Sequence, residues 1–132
     1  MSHFVQVRTQ IREREQLIAA LRDLHHQFRE GENLQIRGFS GNRETAEIVV
    51  DTGSQYDIGF RRQDQQQEYE CVADWWGVER GSSIKQQSFL QQINQQYAYR
   101  VVLEEAKEKD MIVEEDEVLE NGDRVILLSE RG

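Results

Sequence analysis

Proline is absent from this 132-residue chain, and cysteine occurs once, at Cys71. Without proline, long proline-rich linkers and polyproline ligands are excluded. A lone cysteine allows no intrachain disulfide, which suits a reducing compartment. No apolar run nears the roughly 18 residues that a membrane span needs. No charged-then-apolar leader opens the chain, because Ser2-His3-Phe4 leads straight into alternation. Histidine is scarce, at His3, His25 and His26 only, and neither histidine nor cysteine forms a pair with ligand spacing. No metal site and no cofactor is therefore expected.

Positive charge is also short. The chain holds 16 Lys and Arg against 25 Asp and Glu, a formal net charge of −9. Residues 1–62 balance nine acids with nine arginines, whereas residues 103–132 hold eleven acids and four bases. Non-specific nucleic-acid binding requires a positive field, so the overall balance opposes it. The Arg-rich first helix is the one place where a nucleic-acid regulator could start.

What is present is a repeated apolar pattern along the whole length, enough for a single domain spanning residues 1–132. Phe4, Val5 and Val7 open a strand. Thr9 is placed to cap a helix whose stripe runs through Ile11, Leu17, Ile18, Leu21, Leu24, His25 and Phe28, with Gly31 as its stop. Strands follow at Leu34–Arg37, Ala46–Val50, Tyr56–Phe60 and Tyr69–Ala73. Turns are expected at Gly38–Asn42 and Asp51–Ser54, and a polar tip at Arg61–Gln67. A second helix is expected from Ile84 to about Lys109, with Leu90, Ile93, Tyr97 and Val101 in one row. Two last strands flank an Asn121-Gly122-Asp123 hairpin turn. The predicted fold is α+β, in the order β-α-β-β-β-β-α-β-β. About seven strands form a predominantly antiparallel sheet, with two long amphipathic helices on one face. Residues 1–62 and 68–132 read as two similar halves.

The chemistry-bearing stretch is Asp74-Trp75-Trp76-Gly77. On a strand, adjacent side chains point to opposite sides, so two neighbouring indoles do not share one core. One reading has an indole closing the core under the second helix while Asp74 caps a turn. The other has the remaining indole exposed beside Asp74 as a partner anchor. Tyr56-Asp57-Ile58-Gly59-Phe60-Arg61 raises a second question. Gly59 weakens a strand, and marks either a bulge or a backbone crossed by an indole. Asp57 suits a structural pair with an arginine such as Arg37 better than catalysis. Gly38-Phe39-Ser40-Gly41 has the shape of a phosphate loop, but a strand follows where a helix is needed. Cys71 alternates inside a strand, where thiols are inert. Glu114-Glu115-Asp116-Glu117 lacks calcium-loop spacing and reads as a solvated face, or as a negative patch toward a basic partner. No catalytic constellation is visible.

Taken together, Ser2-His3-Phe4, Arg37-Gly38-Phe39 with Gly41-Asn42, Tyr56-Asp57-Ile58-Gly59-Phe60, Ala73-Asp74-Trp75-Trp76-Gly77 and Gln96-Tyr97-Ala98-Tyr99 resemble a known family over nearly the whole chain. It is the family called hypothetical chloroplast reading frame thirty-five, of cyanobacteria and algal plastids. The resemblance implies a photosynthetic source and a cyanobacterial cytoplasm or plastid stroma. It carries over no activity, substrate or cofactor. The expected function is that of a small binding module, an accessory or assembly factor. Asp74, Trp75 and Trp76 would form the contact patch, with Asp57 and Arg61 beside it. The alternative is a small-molecule binder or enzyme with Asp57, Asp74 and His3 in a pocket between sheet and helix.

Overall fold

Apolar residues at Ile48, Val50, Ile58, Phe60, Cys71 and Ala73 put one row of side chains on one side of extended backbone. The computed structural model, which describes residues 3–38 and 44–131, builds a five-stranded antiparallel sheet around that row. Its strands are β1 (Val5–Arg8), β2 (Gln27–Ile36), β3 (Glu44–Asp51), β4 (Ile58–Arg61) and β5 (Glu70–Ala73). They lie in the order β1-β5-β4-β3-β2, so the start of the chain pairs with residues 70–73. Helices α1 (Arg14–Asp23), α2 (Trp75–Gly81) and α3 (Gln86–Glu108) supply the other half of the main core. Leu17, Ile18 and Leu21 of α1, Trp75 and Val78 of α2, and Phe89 and Ile93 of α3 pack with the sheet row. Strands β6 (Met111–Val118) and β7 (Arg124–Glu130) form a separate two-stranded sheet.

The α+β class and the antiparallel strands agree with the sequence reading. The seven strands, however, divide into five and two, and a third, short helix stands between β5 and α3. The first helix is also shorter than its stripe suggests. It ends at Asp23, and His25 takes a left-handed backbone conformation (φ 62°). The chain then turns into β2, where Phe28 pairs with Val50 instead of extending the helix. Gly31 lies inside β2, not at a helix end. Thr9 caps nothing helical: its hydroxyl donates to the Tyr69 carbonyl (2.6 Å) and accepts from the Ile11 amide (3.1 Å), tying the end of β1 to the approach to β5. Of the expected Gly38–Asn42 turn, all but Gly38 lies outside the described residues.

The start of α1 is capped from another element. Glu13 provides no side-chain cap. Instead the Arg12 and Glu13 amides donate to the Tyr97 hydroxyl of α3, at 3.0 and 2.9 Å. At the far end of α1, Arg100 of α3 grips Asp23 through two hydrogen bonds of 2.6 and 2.5 Å, and Gln96 adds a third at 2.8 Å. The Arg100 guanidinium holds the Asp23 carboxyl below the ordinary carboxylate value. α3 is thus fixed across α1 at both ends by polar contacts. Its Ile93 and Phe89 supply apolar burial.

The reverse face of the five-stranded sheet carries a smaller cluster of Ile36, Ala46, Val49 and Val72, with Phe4 and Leu34 at its margin. Gly59 belongs to this face. A Cβ there would stand 2.4 Å from Ile36 Cδ1 and 2.9 Å from Ala46 Cβ. The residue crossing the backbone is therefore Ile36, not an indole, and the position stays empty because an isoleucine already fills it.

Candidate functional site

Asp74 ends β5 and begins α2. Its carboxylate accepts from the Gly77 amide at 3.2 Å, an N-cap that satisfies one of the free donors of the first turn. That cap converts the tryptophan pair from strand to helix geometry. Successive residues on a helix are separated by about 100°, so one indole turns inward and the next does not. Trp75 is 5% exposed and packs on Phe89, ring centroids 5.8 Å apart. Trp76 is 47% exposed. The guanidinium of Arg80, one turn on, lies 4.6 Å over the Trp76 ring, a cation–π contact at i, i+4 spacing.

Two glycines let this short helix sit close to the loop before β4. A Cβ on Gly77 would fall 2.2 Å from Tyr56 Cε1, so the tyrosine ring lies directly over the glycine. Gly81 approaches Ser54 in the same way, with the nearest atom at 3.1 Å. Glu79 then joins α2 to α3 by accepting from the Gln86 amide at 2.9 Å. Trp76 therefore stands on a base held from three sides: the buried Trp75, the Tyr56 ring and the α3 start.

Asp57 stands one residue beyond the Ile58–Ala73 pair that closes the β4–β5 ladder, and Asp74 stands one residue beyond on the other side. Both are buried. Asp57 is held by Arg37: the Arg37 amide donates to Oδ2 (2.8 Å), Nε donates to both oxygens (3.1 and 3.0 Å), and Nη2 donates to Oδ1 (2.8 Å). The same Nη2 donates to the Ser54 carbonyl at 3.0 Å. This pair fixes the end of β2 to the loop that carries Tyr56, a structural task. Arg61 lies at the opposite end of β4 and is engaged by Glu44 (2.6 Å) and Glu70 (3.7 Å). Of the five residues expected as one patch, Asp57, Asp74, Trp75 and Trp76 gather at one end of the β4–β5 ladder, and Arg61 lies at the other. Trp76 faces outward, Asp74 and Trp75 hold it from beneath, Asp57 braces the neighbouring loop, and Arg61 is remote. Arg80 was not singled out from the sequence. Its signal is the Trp76–Arg80 spacing, legible only once 75–81 is known to be helical.

Among the described residues two surface grooves stand out, and neither is lined by Asp57, Asp74 or His3. One, of about 780 Å³, runs beside the β4–β5 tip, where Arg8, Arg12, Arg61 and Arg62 are interleaved with Glu68 and Glu70. Its cations are largely engaged. Arg12 pairs with Glu68 at 2.9 Å, and Arg62 donates to the Arg12 carbonyl at 2.6 Å while lying 4.3 Å over the Tyr69 ring. The other, of about 450 Å³, separates α3 from the β6–β7 hairpin. Cys71 is fully buried on the helix-facing side of the sheet, and burial pushes its thiol far above the ordinary value. It is not a nucleophile in the folded chain.

Residues 20–126 match a family described as "Protein of unknown function (DUF1257)". The chain is 34% identical over 122 residues to "Uncharacterized protein ycf35" of Cyanophora paradoxa, covering 92% of this chain and 91% of that protein. It is 31% identical over 128 residues to "Uncharacterized protein ycf35" of Guillardia theta, with the same coverage of 92% and 91%. No solved structure matches the chain. The family match takes in α2, α3, β6 and the first three residues of β7, as well as strands β2 to β5. On this near full-length similarity, the chain belongs to the ycf35 family of cyanobacteria and plastids.

Proposed function

We propose that this protein is a small protein-binding accessory factor of the cyanobacterial cytoplasm or plastid stroma, and that Trp76 is its anchor. The observation that carries this reading is the split of the tryptophan pair. One indole is spent on the core, and the other is held in solvent on a helix whose cap, neighbours and glycines fix its position. An exposed tryptophan on a rigid base loses little conformational freedom when a partner covers it. Tryptophan and arginine are the side chains most enriched where binding energy concentrates, and Arg80 already lies over the ring. The indole would supply buried area, and the guanidinium would set orientation. Asp74, Trp75 and Asp57 contribute by holding the corner, not by touching the partner.

The test uses wild type, Trp76→Ala and Trp76→Phe as baits in cyanobacterial extract, with circular dichroism and Tm recorded for each. A protein recovered by wild type, lost by Trp76→Ala and partly restored by Trp76→Phe is the expected result. Equal recovery by all three folded baits removes Trp76 as the anchor.

A further inference from the structure

Among the described residues, most of the exposed large hydrophobic side chains lie on the β6–β7 hairpin. Six are at hairpin positions, and the others among the described residues are Val5 and Trp76; by register Ile112, Val125 and Leu127 share one face of the hairpin, and Val113 and Val118 the other. A two-stranded sheet is marginal in water unless something covers a face. α3 covers one face. Tyr99 donates to Asp116 at 2.6 Å, and Arg124 lies 3.4 Å over the Tyr99 ring while donating to Asp116 at 2.8 Å. Gln95 donates to the Gly122 carbonyl at the turn.

The other face is open, and its composition follows from the register. Ile112 lies opposite Ser129, Glu115 opposite Leu127 and Glu117 opposite Val125, with a bulge between Val113 and Glu115. Cross-strand partners share a face. An apolar row of Ile112, Leu127 and Val125, the last also at the rim of the groove toward α3, therefore runs beside an acidic pair, Glu115 and Glu117. Leu127 is 46% exposed and Val125 is 43% exposed. Neither glutamate has an ion-pair or hydrogen-bond partner among the described residues.

We propose that this open face is a second docking surface, and that its occupant is an amphipathic helix of another protein whose apolar stripe is flanked by Lys or Arg. The apolar row supplies the area, and the unpaired glutamates select the charge. A helix laid there would complete a helix–sheet–helix sandwich with α3. A second copy of this chain is the wrong occupant, because residues 103–132 carry eleven acids against four bases and would repel their own kind. The hairpin meets α3 from Gln95 onward, whereas the Trp76 corner is packed on the first turn of α3 through Trp75 and Phe89. The two proposals can therefore fail separately.

The experiment measures fluorescence anisotropy of a labelled synthetic helix with a leucine stripe flanked by lysines, titrated with the full chain at low salt. A helix with the same stripe flanked by glutamates is the control. The lysine helix is expected to bind and the glutamate helix not to. Val125→Ser/Leu127→Ser should weaken binding about tenfold, the scale of losing hot-spot side chains. Glu115→Gln/Glu117→Gln should weaken it and flatten its salt dependence. Glu15→Gln/Glu32→Gln removes the same charge from exposed positions away from the hairpin, and should bind like wild type. Trp76→Ala should too. The proposal is overturned by equal binding of both helices, by no binding of either, or by equal losses in the two charge variants. It is also overturned by hairpin serine variants that bind normally, by loss of binding in Trp76→Ala, or by a dimer of the chain that the serine pair dissolves. The charge variants keep the test decisive should the serine pair unfold the hairpin.

Discussion

Val50 and Leu127 both sit inside an antiparallel pair, opposite Ile58 and Glu115 respectively. Val50 is fully buried, whereas Leu127 is nearly half exposed. The five-stranded sheet has helices on one face and a second apolar cluster on the other. The hairpin has α3 on one face and solvent on the other. Antiparallel pairing is common to both regions. What differs is the number of layers, and hence how much each side chain contributes to folding.

That contrast is most directly tested at Phe60, which is fully buried and stacks on Phe89 at 6.3 Å. Phe60→Ala should cost about 3–5 kcal/mol in urea denaturation. Next is Gly59→Ala, where the added methyl meets Ile36 and Ala46. Crowding of this kind costs about 1–3 kcal/mol, and the shift should appear as a lower urea midpoint with an unchanged slope. Acid should act on the main layers in two steps. Burial beside Phe89 lowers the His26 pKa. The unfolded chain therefore binds the proton first, and stability is lost as pH falls through about 6.5. Asp23 is depressed by Arg100, so its contribution is full above the ordinary carboxylate range and is lost as pH falls below about 4. His26→Gln should flatten the first step and Asp23→Asn the second, both read from the urea midpoint against pH. The smallest effect is expected in the hairpin. Leu127→Ser should change stability by no more than about 0.5 kcal/mol. A loss comparable to that of Phe60→Ala would show that the hairpin is part of the core after all.

Much of this was legible in the sequence. Alternation located β3, β4 and β5, the long apolar pattern located α3, and Asn121-Gly122 located the last turn, where Gly122 indeed has φ 91°. Arg37 was correctly paired with Asp57. What stayed hidden was non-local. Leu17, Leu21, Leu24 and Phe28 continue a helical spacing without interruption, and only pairing with β3 pulls Phe28 into a strand. The seven residues of α2 are too few to show a period, so in the sequence the tryptophans read as strand neighbours. Asp74 three residues before Gly77 was the available clue, as a cap. The separation of the hairpin also left a trace, in the acidic run at 114–117. A strand whose outward and inward positions are both charged has little to bury in a central sheet.

The split indoles also give the molecule two reporters that differ in solvent. Trp75, enclosed by Phe89, should emit at short wavelength and resist iodide. Trp76 should emit at longer wavelength and be quenched readily, because Arg80 draws the anion toward it. Occupation of the α2 corner would then be visible, without any label, as a blue shift and a loss of quenching in one of two emission components. Global unfolding would move the other.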